Sequence, residues 1–130
     1  YHQNGTAAAS AANAAALQGY WKQFKDLLFA NQDDWFYASA SERQKLFEKY
    51  FEEATDGNGD LAQFRKDMQS TKVAQKISFD RALAEKRGLE WTPYIWVDDE
   101  RVEKTSMGAN FMESMRTKID ARLKELGIKK

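Results

Sequence analysis

The chain has 130 residues and a mass of 15.0 kDa, the size of one domain with a core of its own. Twenty basic and twenty acidic residues cancel, which argues against nucleic acid or an anionic membrane surface as a partner, since both call for a basic patch. There is no cysteine and only one histidine, His2, so neither a thiolate nor a multi-histidine metal site can be built from these residues.

A hydrophobic fraction of 42% with 13% aromatics predicts a folded protein. No stretch approaches the roughly 18 consecutive apolar residues of a membrane span. No signal peptide is visible, and the sequence opens on Tyr1-His2-Gln3-Asn4-Gly5 without an initiator Met, as a mature product or, the favoured reading, a piece of a longer one would.

Asn4-Gly5 has turn chemistry, and Thr6 is a candidate cap for an alanine-rich helix from Ala7 to about Gln18. Alanine favours the helix, and its small side chain lets neighbouring elements approach closely. After Gly19, a second helix is predicted from Tyr20 to Ala30. Trp21, Phe24 and Leu28 have helical spacing, while Leu27 and Phe29 widen the apolar face and predict burial on more than one side. Trp35-Phe36-Tyr37 is expected to plug the core from a connection.

Ser39 with Glu42, and Ser41 with Gln44, each fit a capping box opening a third helix to about Ala54. The stretch Asp56-Gly57-Asn58-Gly59-Asp60 spaces its oxygens like a calcium loop. The calcium pattern wants Gly at its sixth place and Glu at its twelfth, where this sequence has Leu61 and Asp67. The expected reading is a turn whose Asp60 caps a short helix from Leu61 to Met68. Ser70-Thr71 caps a longer one to Arg87, patterned by Val73, Ile77, Leu83 and Ala84, with Gly88 as its stop and Lys86-Arg87 favouring the helix dipole.

The stretch Gly88 to Val102 holds the only proline, Pro93, and most of the β-type signal. Tyr94-Ile95-Trp96-Val97 reads as a strand, Asp98-Asp99 as a hairpin turn and Arg101 to Lys104 as a short return strand. Met107-Gly108-Ala109 leads into a last helix capped by Asn110 with Glu113, with Phe111, Met115, Ile119, Leu123 and Leu126 as its buried stripe and Gly127 as its stop. The predicted order is five helices, a β-hairpin and a helix.

Three stretches resemble the DsbA-like branch of the thioredoxin-fold thiol–disulfide oxidoreductases. They are Gln18-Gly19-Tyr20-Trp21 through Asp26-Leu27-Leu28-Phe29-Ala30-Asn31-Gln32, then Phe64 to Ser70 with Val73, Asp80, Ala84 and Gly88, and finally Thr92-Pro93 through Val102. Their order and spacing cover nearly the whole sequence.

The resemblance implies an incomplete α/β thioredoxin-like fold, mostly helical. Residues 1–88 would be the helical insertion and 89–130 the C-terminal half of the fold, together one structural domain. It implies a cis Thr92–Pro93 peptide, against the plain alternative of a trans proline opening a strand. It assigns Thr92, Pro93 and Trp91 to substrate binding, with unfolded or exported proteins as partners, no cofactor and no metal. It also implies an extracytoplasmic location, in the periplasm or cell envelope, secreted or anchored.

The family's Cys-x-x-Cys has no counterpart in these residues, so no catalytic residue is assigned and the 130 residues alone are expected to be inactive. It is expected roughly fifty or more residues before Tyr1, by the family's cysteine spacing. A lone hairpin is marginal in water, so a homodimer through the strand edge, or strands supplied from elsewhere, is expected. The alternatives are a non-catalytic thioredoxin-like binding module and a helical interaction domain.

Overall fold

The computed structural model describes residues 4–90, 92–102 and 110–128. By compactness the protein divides into two units, Tyr1–Ala84 and Glu85–Lys130.

The first unit is helical. Its hub is α1 (Gly5–Leu17), whose Ala8, Ala11, Ala14 and Ala15 are buried. Small side chains on that face let α2 (Trp21–Ala30), α4 (Ala40–Ala54) and α5 (Leu61–Met68) pack against one helix. The space left by the alanines is filled with aromatic rings. Phe51 and Phe64 stack at 4.2 Å, Phe24 lies 5.6 Å from Phe64, and Trp35 meets Phe47 edge-on at 5.9 Å. Such pairs contribute about 1 kcal/mol each beyond the area they bury.

Several local signals fold as read. Ser39 and Glu42 form the capping box: Ser39 Oγ accepts from the Glu42 amide at 3.4 Å and Glu42 accepts from the Ser39 amide at 3.0 Å. Gln44 does not close the competing box with Ser41; its carboxamide donates to Glu48 at 3.0 Å. Asp60 caps α5 by accepting from the Gln63 amide at 2.8 Å, and Ser70 opens α6 (Thr71–Lys86) by accepting from the Val73 amide at 3.2 Å.

Others fold differently. Thr6 is not the first cap, because α1 already includes Gly5 and the residue before it, Asn4, spends its side chain elsewhere. Asn4 Nδ2 donates to the carbonyls of Trp35, Phe36 and Ala38 at 2.8–3.1 Å, and its Oδ1 accepts from Arg43. Trp35 and Phe36 belong to a short helix, α3 (Gln32–Phe36), rather than to a connection. Six helices therefore precede the hairpin among the described residues.

On α2 the expected wide apolar face is only partly covered, with Leu27 half-buried against the core. Phe24 and Leu28 are buried, whereas Phe29 is 71% exposed and Trp21 half-exposed beneath the Lys25 ammonium. On α6, Val73 is buried and Ile77 and Ala84 are half-buried, but Leu83 is exposed.

The second unit contains β1 (Trp96–Val97), β2 (Glu100–Arg101) and α7 (Phe111–Glu125). The strands pair antiparallel, Trp96 opposite Arg101 and Val97 opposite Glu100, across the turn Asp98-Asp99. Asp98 adopts φ 52, the left-handed conformation that a two-residue hairpin turn demands. The Val102 amide extends the pairing by donating to the Ile95 carbonyl at 2.8 Å. The first strand is shorter than predicted and the return strand begins one residue earlier, at Glu100; Glu103, Lys104 and Met107 to Ala109 lie outside the described residues. On α7, the Asn110 carboxamide makes no capping bond, and the predicted stripe is only partly covered, with Ile119 and Leu126 exposed.

Candidate functional site

The site expected from sequence lies in the second unit. Helix α6 stops where Gly88 turns left-handed at φ 65, a conformation that costs glycine nothing and other residues about 1 kcal/mol or more. Beyond Gly88, Thr92 and Pro93 are both exposed, Thr92 lies in a bend, and the peptide bond between them is cis. Trp91 lies outside the described residues.

Beyond Pro93 the alternation of a strand sorts the side chains onto two faces. Tyr94 and Trp96 share one face and stack at 5.5 Å with a 28° tilt. The Arg101 guanidinium lies 4.5 Å from the Tyr94 ring centre, and that of Arg87 lies 5.5 Å from Trp96. Two cations thus flank two stacked rings, each contact contributing about 0.5–1 kcal/mol where solvent reaches it. From sequence, Arg87 answers only to the helix dipole and Arg101 only to the return strand. The available signal was Arg101 opposite Trp96 on one strand face, with Tyr94 two residues away.

Two of the hairpin's acids, Asp98 and Glu100, are engaged with α7. Asp98 accepts from Arg122 Nε at 2.6 Å, Arg122 also pairs with Glu125 at 2.9 Å, and Glu100 lies 3.7 Å from Lys118. Asp98, and after it Glu125, raises the Arg122 pKa further above its ordinary value. A groove of about 380 Å³ lies here, lined by Val97, Glu100, Thr117 and Lys118 beside the Asp98–Arg122 pair.

None of these side chains is a nucleophile of the thiol type, because the sequence has no cysteine. No cluster of His, Asp or Glu among the described residues could hold a metal ion. What the arrangement offers is the exposed residue pair Thr92-Pro93, next to a two-stranded sheet in which, among the described residues, each strand has one edge without a strand neighbour.

Residues 1–121 match the family model described as thioredoxin. The chain belongs to the thioredoxin family. For this thioredoxin-family protein the match spans the helical unit, the Thr-Pro stretch, the hairpin and most of α7. Membership supports chemistry of the thiol–disulfide oxidoreductase type for the domain. No curated protein and no solved structure is significantly similar to it.

Proposed function

We propose that the protein is a portion of an extracytoplasmic, DsbA-like protein-disulfide oxidoreductase that acts on exported proteins. The observation that carries this reading is the thioredoxin-family match over residues 1–121, joined to the DsbA-like order of helical segment, Thr-Pro strand and hairpin. In this reading Thr92, Pro93 and Trp91 face the substrate. The exposed Thr92-Pro93 segment aligns an unfolded peptide by strand-type hydrogen bonds, a mode of recognition that tolerates many sequences.

The chemistry itself needs a thiolate that attacks a disulfide sulfur and leaves as a mixed disulfide. These 130 residues contain no such group, so their share is to bind and orient. The unpaired strand edge takes either strands from the same polypeptide or the equivalent edge of a second copy.

The test is to sequence the transcript upstream of Tyr1 and assay the longest product for oxidation of a reduced, unfolded protein. A Cys-x-x-Cys upstream, with activity in the long product and none in the 130 residues alone, is the expected result. An upstream sequence without the pair would replace the enzyme by a non-catalytic peptide-binding module.

A further inference from the structure

The sequence contains two Asn-Gly pairs, Asn4-Gly5 and Asn58-Gly59, and the fold treats them oppositely. The geometry points to Asn58 as a site of spontaneous modification, deamidation through a cyclic imide, with Asn4 protected by its burial. In this reaction the Gly59 backbone nitrogen loses its proton to hydroxide and attacks Cγ, the carboxamide carbon of Asn58. The bond from Cγ to Nδ2 breaks and ammonia leaves. Water then opens the five-membered imide at either carbonyl, giving aspartate or isoaspartate. No oxidant or other co-reactant is needed.

Glycine as the next residue matters because it places no side chain in the path of its own nitrogen. At this position the fold itself excludes anything larger. A Cβ on residue 59 would lie 2.6 Å from Phe51 Cε1 and Thr55 Cγ2. The core that demands Gly59 therefore also maintains the reactive pair.

Asn58 is exposed, in the turn between α4 and α5 that Asp56 and Gly57 enter at φ 50 and 72. Two local hydrogen bonds hold its carboxamide, from Nδ2 to the Thr55 and Asp56 carbonyls at 3.2 and 3.1 Å. Asn4 is 3% exposed, with Nδ2 shared among three carbonyls and Oδ1 tied to Arg43. Closing the imide at Asn4 would break that whole set and move the start of α1. At Asn58 it breaks two bonds, one exposed and one part-buried, and no link to a distant element.

The experiment ages the intact protein in mildly alkaline buffer and follows the tryptic peptides 50–65 and 1–22 by mass spectrometry, with isoaspartate detected enzymatically. The expected result is a gain of one mass unit in peptide 50–65, lost in an Asn58→Gln variant, while peptide 1–22 stays at its starting mass. In denaturant the two pairs should react at similar rates. Equal conversion of both pairs in the folded protein, or a persistent difference in denaturant, would overturn the proposal. So would conversion at Asn58 no faster than at Asn13, which precedes an alanine.

Discussion

The Asn4 carboxamide donates to the Trp35 carbonyl at 2.8 Å, joining the first turn of α1 to the end of α3 across 31 residues. Trp35 in turn donates its indole N–H to the Leu28 carbonyl at 2.9 Å, so one series of bonds links α1, α3 and α2. Replacing Asn4 with Ala leaves the buried Trp35 carbonyl, two further carbonyls and Arg43 without this partner. The expected cost is about 2 kcal/mol, from the several hydrogen bonds lost at once, one of them charge-assisted. Urea unfolding followed by helical circular dichroism measures it, and a change within the error of the midpoint would count against the clasp.

Gly59 closes the turn against the Phe51 ring. An alanine there overlaps Phe51 and Thr55, and neither ring nor backbone can yield without disturbing the Phe51–Phe64 stack. Gly59→Ala should destabilise the helical unit by about 2 kcal/mol, the usual size of an overpacking defect. Gly57→Ala is the contrasting control. Nothing lies within 4 Å of its added Cβ, so its cost comes from the φ of 72 alone and should be about 1 kcal/mol.

Phe64 touches two other rings and is fully buried. Phe64→Ala removes the ring joining α5 to α2 and α4, and should cost about 4 kcal/mol through lost transfer energy and a residual cavity. Phe29→Ala, on the exposed side of α2, should leave the thermal midpoint nearly unchanged. Comparable losses from the two would contradict this packing.

Arg65 forks onto Glu48, with Nε and Nη2 donating to its two oxygens at 2.8 and 2.7 Å. The Arg65 guanidinium, with help from Gln44, holds the Glu48 carboxyl below its ordinary pKa of 4.5. The folded-state value is depressed, so the contribution is present above pH 4.5 and is lost as pH falls through the folded-state value. The pair is partly open to solvent, so Glu48→Gln should cost under about 1 kcal/mol at neutral pH. Urea midpoints of the two proteins should converge in acid. A gap that persists there would assign the effect to packing instead.

The two-stranded hairpin leads to a prediction about assembly. An edge without a neighbour recruits one, so the 130-residue protein should form a dimer whose fraction rises with concentration in light scattering. A protein monomeric at all concentrations, with the Val102 amide strongly protected in hydrogen exchange, would exclude that mode.

What the sequence determined by itself is local. The Ser39–Glu42 box, the Asp60 cap, the Leu61–Met68 helix and the Asp98-Asp99 turn are each set by residues within a few positions of one another. Their hydrogen bonds close inside one turn, so no distant partner has to be known. The Thr-Pro stretch was legible in the same way, through composition and order.

Tertiary structure decided what depends on distant elements. Trp35 is inside and Phe29 outside although both are aromatic, because burial follows where α4 passes and not the residue's own hydrophobicity. Asn4 keeps its turn backbone but does not cap α1 with its side chain, because three carbonyls, unreachable from its neighbours, converge on its amide. Arg87 and Arg101 find Trp96 and Tyr94 only once the hairpin has set its register. A residue's partner across the fold is chosen by the geometry of the whole, and the period of its own segment carries no record of it.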